Sequence, residues 1–151
     1  MTDSLQIMDA VSGLAAEGIP ELERIYIDLV PTDFLRPSLL IQPVTQTRES
    51  AAVNLVRVTE YFTLTVFDTT DDYSQSDTRN LLELQQKLLN LFRSGRIAVG
   101  DRNIAVTAST GGRDWDKAFV DLQAEYLDLR DETPDAAPKM ESIETNMNLK
   151  G

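Results

Sequence analysis

The strongest constraint on this chain is the stretch at residues 54–67. There Val56, Val58, Phe62, Leu64 and Val66 share one parity while Arg57, Thr59, Thr63 and Thr65 take the other. A period of two sends successive side chains to opposite faces, so the segment predicts a half-buried β-strand with an apolar inner face. At roughly 3.3 Å per residue it would run about 45 Å if straight, more than a compact domain needs, so part of it must bend, bulge or project. Glu60 falls at an inward position between Val58 and Phe62, which places the expected bulge, or the exit from the core, near it. Glu60 and Arg57 are expected to be solvated or paired. The same alternation returns at residues 117–129, where Val120, Leu122, Ala124 and Tyr126 interleave with Asp121, Gln123 and Glu125. These two segments predict the central strands of an antiparallel sheet.

Around them the pattern changes period. Ile7, Met8, Val11, Leu14 and Ala15 recur at helical spacing over residues 4–16, after a cap at Thr2 or Asp3 and before a stop at Gly18. Gly13 inside that helix costs about 1 kcal/mol relative to Ala, so the helix is expected to dock on the sheet. A second helix is expected over residues 77–94, with Leu81, Leu84, Leu88, Leu91 and Phe92 as its apolar stripe, Leu82 and Leu89 widening it, and Gln85 and Gln86 marking its polar side. Ser76 or Asp77 caps it and Gly95 stops it. Residues 24–30 and 38–47 read as strands, the latter opened by Pro37 and, because proline lacks an amide, at an edge or bulged at Pro43. Residues 96–99 and 104–109 complete the strands, with turns at Gly100-Asp101 and Gly111-Gly112. The expected fold is α+β, a mainly antiparallel sheet with two helices packed on one face, in the order α-β-β-β-α-β-β-β. Residues 1–130 form the single domain and residues 131–151 an acidic tail, in which Met140, Ile143 and Met147 keep helical spacing as a segment for partner docking.

Composition removes much chemistry. The chain of 151 residues has neither cysteine nor histidine, which excludes disulfides, thiolate zinc sites, imidazole bases and Ser-His or Cys-His nucleophiles. Its net charge is −11, and the tightest basic grouping is Arg93 and Arg96 around Gly95, so phosphate binding by bulk charge is excluded. No apolar run approaches the ~18 residues of a membrane span, and synthesis in a cytoplasm is the expectation.

The remaining clusters point to no reaction. Asp68, Asp71, Asp72 and Asp77 are the densest carboxylates, yet they lack the spacing and distal glutamate of a calcium loop and read as a solvated loop ahead of a helix. Asp114 and Asp116 flank Trp115 near Gly111-Gly112; a surface turn is expected rather than an acid–base pair. Trp115 is either a lid on the core or an interface anchor. The glycine pair lacks the lysine and hydroxyl residue of a phosphate loop, so it signals a turn and no nucleotide site; no metal or other cofactor is expected either.

The run Ile25-Tyr26-Ile27-Asp28-Leu29-Val30, then Arg36-Pro37-Ser38-Leu39-Leu40-Ile41, then residues 57–67, the leucine-rich helix and the closing Tyr126-Leu127-Asp128-Leu129 resemble tail terminator proteins of tailed phages and prophages. The resemblance covers residues 5–129, and the segment from Pro37 to Ile41 is its sharpest part. The chain departs from the family in having Leu39 and Leu40 where aromatics are common, and in its acidic tail.

The resemblance implies a non-catalytic virion subunit at the tail-neck junction. It would form a homo-oligomeric, typically hexameric ring that caps the tail tube, stops its polymerisation and offers a surface to the head-side connector or stopper. DNA would pass through the channel without specific binding, and no membrane is involved. Loops at residues 45–54 and 68–76 are expected to meet neighbouring layers. The interface residues this suggests are Thr45, Gln46, Arg48, Glu49, Arg57, Asp71, Asp72, Tyr73, Trp115, Met140, Ile143 and Met147. Three other readings compete: another neck or tail ring component, an acidic binding module of the inhibitor or immunity kind, and an enzyme working with Asp, Glu, Lys, Ser or Tyr alone.

Overall fold

The computed structural model describes residues 3–71, 73 and 76–129; Asp72, Met140, Ile143 and Met147 lie outside them. The first helix, α1 (Ser4–Gly18), starts where the Asp3 carboxylate accepts a hydrogen bond from the Gln6 amide at 2.9 Å, satisfying one of the donors a helix N-terminus leaves open. Its buried residues are Ile7, Met8, Val11 and Ala15. Strand β1 (Arg24–Ile27) stops short of Val30 because Asp28 adopts a φ of 72°, which no strand continues.

Strands β2 (Ser38–Ala52) and β3 (Leu55–Phe67) form one long hairpin. Helix α2 (Thr78–Asn90) is capped by Asp77 and buries Leu81, Leu84 and Leu88, each side chain contributing about 1.5–3 kcal/mol. The chain then forms β4 (Arg96–Val99), β5 (Arg102–Arg113) and β6 (Lys117–Leu129).

The fold is α+β in the expected element order, and the sheet order is β1-β2-β3-β6-β5-β4, with β3 and β6 at its centre. The sheet is mixed rather than mainly antiparallel, since β1 pairs parallel to β2. Residues 28–37 supply the long return that a parallel pair needs and a hairpin does not.

The two helices are not laid together on one face, as the sequence suggested. Helix α2 packs over β6, β3 and β5, whereas α1 touches β4 at one margin and β1 and β2 at the other. Both helices nevertheless feed one apolar core with the inward parity of the strands: Leu39 and Ile41, Val58 to Val66, and Ala118 to Tyr126.

Four local expectations are corrected. The register between β3 and β6 is unbroken past Glu60, and the irregularities lie in β2, at Pro43/Thr45 and Ser50/Ala52. The expected loop at residues 45–54 is the outer part of the hairpin, strand up to Ala52. Gly111-Gly112 is a bulge within β5, with Gly112 at a φ of 95°, and the turn lies at residues 114–116. Gln85 is buried, not on the polar side of α2: its amide donates to the Gly112 carbonyl at 3.1 Å and the Phe119 carbonyl at 2.9 Å. The bulge turns the Gly112 carbonyl out of the ladder, and the amide supplies the missing donor.

Candidate functional site

The long hairpin carries the sheet from the packed core out to an arm whose β2 side is exposed. Strand β1 covers β2 only along Ser38 to Ile41, and from Pro43 onward every residue of β2 is exposed. At roughly 3.3 Å per residue, β2 extends about 50 Å. Core residues Phe62 and Val58 of β3 still stand opposite Pro43 and Arg48, so only the tip from Glu49 to Ala52, about 13 Å, runs past the core. Pro43 marks the change: it is where β2 acquires an open side, and a residue without an amide loses nothing there. The arm ends in a turn bearing Val53, which is 92% exposed, with Leu129 at the end of β6 opposite Leu55.

Five of the residues singled out in the sequence come together on this arm. Thr45, Gln46, Arg48 and Glu49 lie on β2, and Arg57 lies opposite Glu49 on β3. Arg57 joins Glu49 at 3.6 Å and Glu125 at 3.0 Å, and the Arg48 guanidinium donates to the Gln46 side chain at 2.9 Å. These pairs are solvent-exposed, so they align the arm's surface and add little stability.

A buried polar cluster anchors the base of the arm. Glu60 is 2% exposed and accepts hydrogen bonds from the Ser4 hydroxyl and, at 2.7 Å, from the Tyr126 hydroxyl. Its carboxylate therefore meets the first turn of α1, where the helix dipole favours negative charge. Burial, and then the Glu60 hydrogen bond, push the Tyr126 phenol above its ordinary range. The Arg102 guanidinium lies 5.4 Å from the centre of the Tyr126 ring.

At the opposite end of the strands sits a second group of exposed residues. Trp115 is 69% exposed and Tyr73 is 82% exposed, which excludes the reading of Trp115 as a lid on the core. The Trp115 carbonyl accepts from the Ser76 amide at 3.0 Å, so the two loops are tied side by side. Asp71 accepts from the Tyr73 amide at 2.8 Å.

Arg36 fastens this end to the body. It donates to the Asp68 carbonyl at 3.0 Å and to the Asp116 carboxylate at 2.7 Å, with its guanidinium 4.6 Å from the centre of the Phe34 ring and 5.5 Å from that of Phe67. Asp116 is thus engaged by Arg36, whereas Asp114 accepts from the Trp115 amide at 2.9 Å, so the two carboxylates do not act as a pair.

Between the two ends, the face of the sheet away from the core carries a depression of about 470 Å³, lined by Val44, Thr45, Tyr61, Thr63, Ser109 and Gln123. Sequence reasoning missed the open side of β5 beside it, because a Thr-Ser-Gly run carries no hydrophobic alternation. Among the described residues no helix is long and apolar enough to cross a membrane.

Comparison with solved structures places this fold beside the sheath/tube terminator of an extracellular contractile injection system, PVC, determined by cryo-EM in its extended state. The TM-score is 0.60 at 10% identity, over 100% of this chain and 65% of that one. The chain therefore spans just under two thirds of the length of the structure it resembles. No family model matches the sequence, and no curated protein does.

Proposed function

We propose that the protein is a structural terminator subunit of a tail-like tube, of the kind found in tailed phages and prophages. It assembles as a ring, typically hexameric, on the finished end of the tube, halts its polymerisation and presents the outer layer with a joining surface for a head-side connector. Its place is the tail-neck junction of the virion, and its role involves no catalysis. A body with net charge −11 suits a channel through which DNA slides, because like charge prevents adhesion to phosphate.

The observation that carries this reading is the likeness, over the whole chain, to a sheath/tube terminator. The exposed outer stretch of β2 agrees with it, since a strand whose outer side is left open beyond Ile41 has its natural partners in other chains. Trp115 and Tyr73, exposed together at the other end, have the size and amphipathic character that dominate protein contacts.

Sedimentation of the purified protein over a concentration series, with and without preformed tube, tests the proposal. Rings that bind tube ends are the expected result. A chain that stays single and leaves tubes growing refutes it. The high negative charge favours one competing reading, an acidic module that occupies a basic partner; that reading requires a monomer and a salt-sensitive one-to-one complex.

A further inference from the structure

We infer that copies of this chain join edge to edge, with the open side of β2 in one copy pairing antiparallel with the open side of β5 in the next. This rests on the ring assembly proposed above and specifies how it is built. Strand β1 leaves β2 after Ile41, and strand β4 leaves β5 after Ala105. Among the described residues, 45–49 of β2 then pair with β3 alone and 107–110 of β5 with β6 alone, with Val44 and Gly111 in the adjoining irregularities. Each window therefore presents a row of amides and carbonyls outward, and such rows template the addition of another strand.

Three features single out a second copy as the occupant. The first is polarity: β2 runs antiparallel to β3, β3 to β6, and β6 to β5, so β5 runs opposite to β2. A rotation about an axis along the strands preserves direction, so β2 of one copy meets β5 of its neighbour in the antiparallel sense, the more stable one. The second is height: Thr45 and Thr107 lie on one ladder row, through Tyr61 and Gln123, so the two windows overlap along the strands. The third is composition. The β5 window, Thr107-Ala108-Ser109-Thr110, carries no charge and no proline, and the β2 window carries one residue of each sign, Arg48 and Glu49. Neither window has a lysine or a proline to guard the edge against its own kind, and Arg48, level with Val58, is the one charge on the core-facing side. The two sides are different surfaces, so the contact is head-to-tail, which closes into a ring when the rotation closes.

Proline scanning of neighbouring positions tests this. Adjacent amides in a strand point to opposite sides, so of Gln46→Pro and Thr47→Pro one spares the chain's own ladder and keeps the parental melting temperature, and the same holds for Ala108→Pro and Ser109→Pro. The sparing β2 variant and the sparing β5 variant are each expected to weaken self-association by about tenfold or more. Mixed one to one, they should form a dimer that grows no further, because only one intact pair of edges remains. Hydrogen exchange of the unmodified protein supplies a reading independent of the variants: amides within 45–49 and 107–110 should gain protection as the protein assembles.

Rings that persist in both sparing variants, a mixture without dimer, or edges already protected in the monomer overturn edge pairing. Rings of the parent that survive the prolines remove edge pairing and leave the terminator reading standing. A parent that never self-associates removes both.

Discussion

The Tyr126 hydroxyl donates to the Glu60 carboxylate at 2.7 Å, and both side chains lie inside the core. The two residues are on neighbouring strands, with Tyr126 level with Val58, one inward position away from Glu60. Together with the Ser4 hydroxyl they give a buried carboxylate two donors and tie the start of α1 to the base of the arm.

Tyr126→Phe is expected to lower stability by about 1–3 kcal/mol, because Glu60 loses a donor while remaining buried. The pH dependence follows from the raised Tyr126 pKa: stability is full below the phenol's ordinary value of about 10 and falls as pH rises above it, since the unfolded chain releases the proton first. Chemical denaturation at neutral pH and at alkaline pH should show the parent losing this stability and Tyr126→Phe lacking that part of the loss. An unchanged alkaline slope in the variant refutes the assignment.

Arg36→Ala should destabilise by about 2 kcal/mol, because Asp116 and the Asp68 carbonyl lose a shared half-buried donor and two aromatic rings lose their cover. Arg36→Lys should recover less than half of that. An ammonium cannot reproduce the planar fork or the stacking on Phe34 and Phe67. Equal stability of the lysine variant and the parent would show that charge alone matters here.

Gln85→Leu should cost about 2 kcal/mol by leaving the Gly112 and Phe119 carbonyls without their donor. Gln85→Glu should be worse near neutral pH, because a carboxylate brings two acceptors to face two acceptors. Thermal unfolding of the two variants side by side decides the order.

Trp115→Ala should shift stability by no more than about 0.5 kcal/mol, as expected for a residue 69% exposed. If the proposed terminator role is right, the same variant should weaken binding to tube ends or connector by about tenfold or more. Co-sedimentation with tubes measures this, and undiminished binding would remove Trp115 from the contact surface.

Much of the fold was legible in the sequence where one face of an element is buried and the other is wet. Val56 to Val66 and Val120 to Tyr126 alternate because each strand lies between core and solvent, and both prove central. Leu81, Leu84 and Leu88 with the Asp77 cap define α2 for the same reason.

Where that asymmetry is missing, local pattern carries no signal. Residues 45–52 are exposed on both sides, so no periodicity distinguishes them from a loop, and only the ladder with β3 makes them strand. Gly111-Gly112 carries the composition of a turn, yet the pairing of Arg113 with Ala118 makes it a bulge.

The sequence by itself determined the element order, the inward parities and the lack of thiol and imidazole chemistry, because these depend on residue type and local spacing. Tertiary structure decided the rest. Whether Glu60 is a defect or an anchor depends on Ser4 and Tyr126, 56 and 66 residues away. Which strand edges stay open depends on how far β1 and β4 run beside their neighbours. Hydrogen bonds between distant segments leave no trace in local pattern, since any residue with a donor at the right height satisfies them.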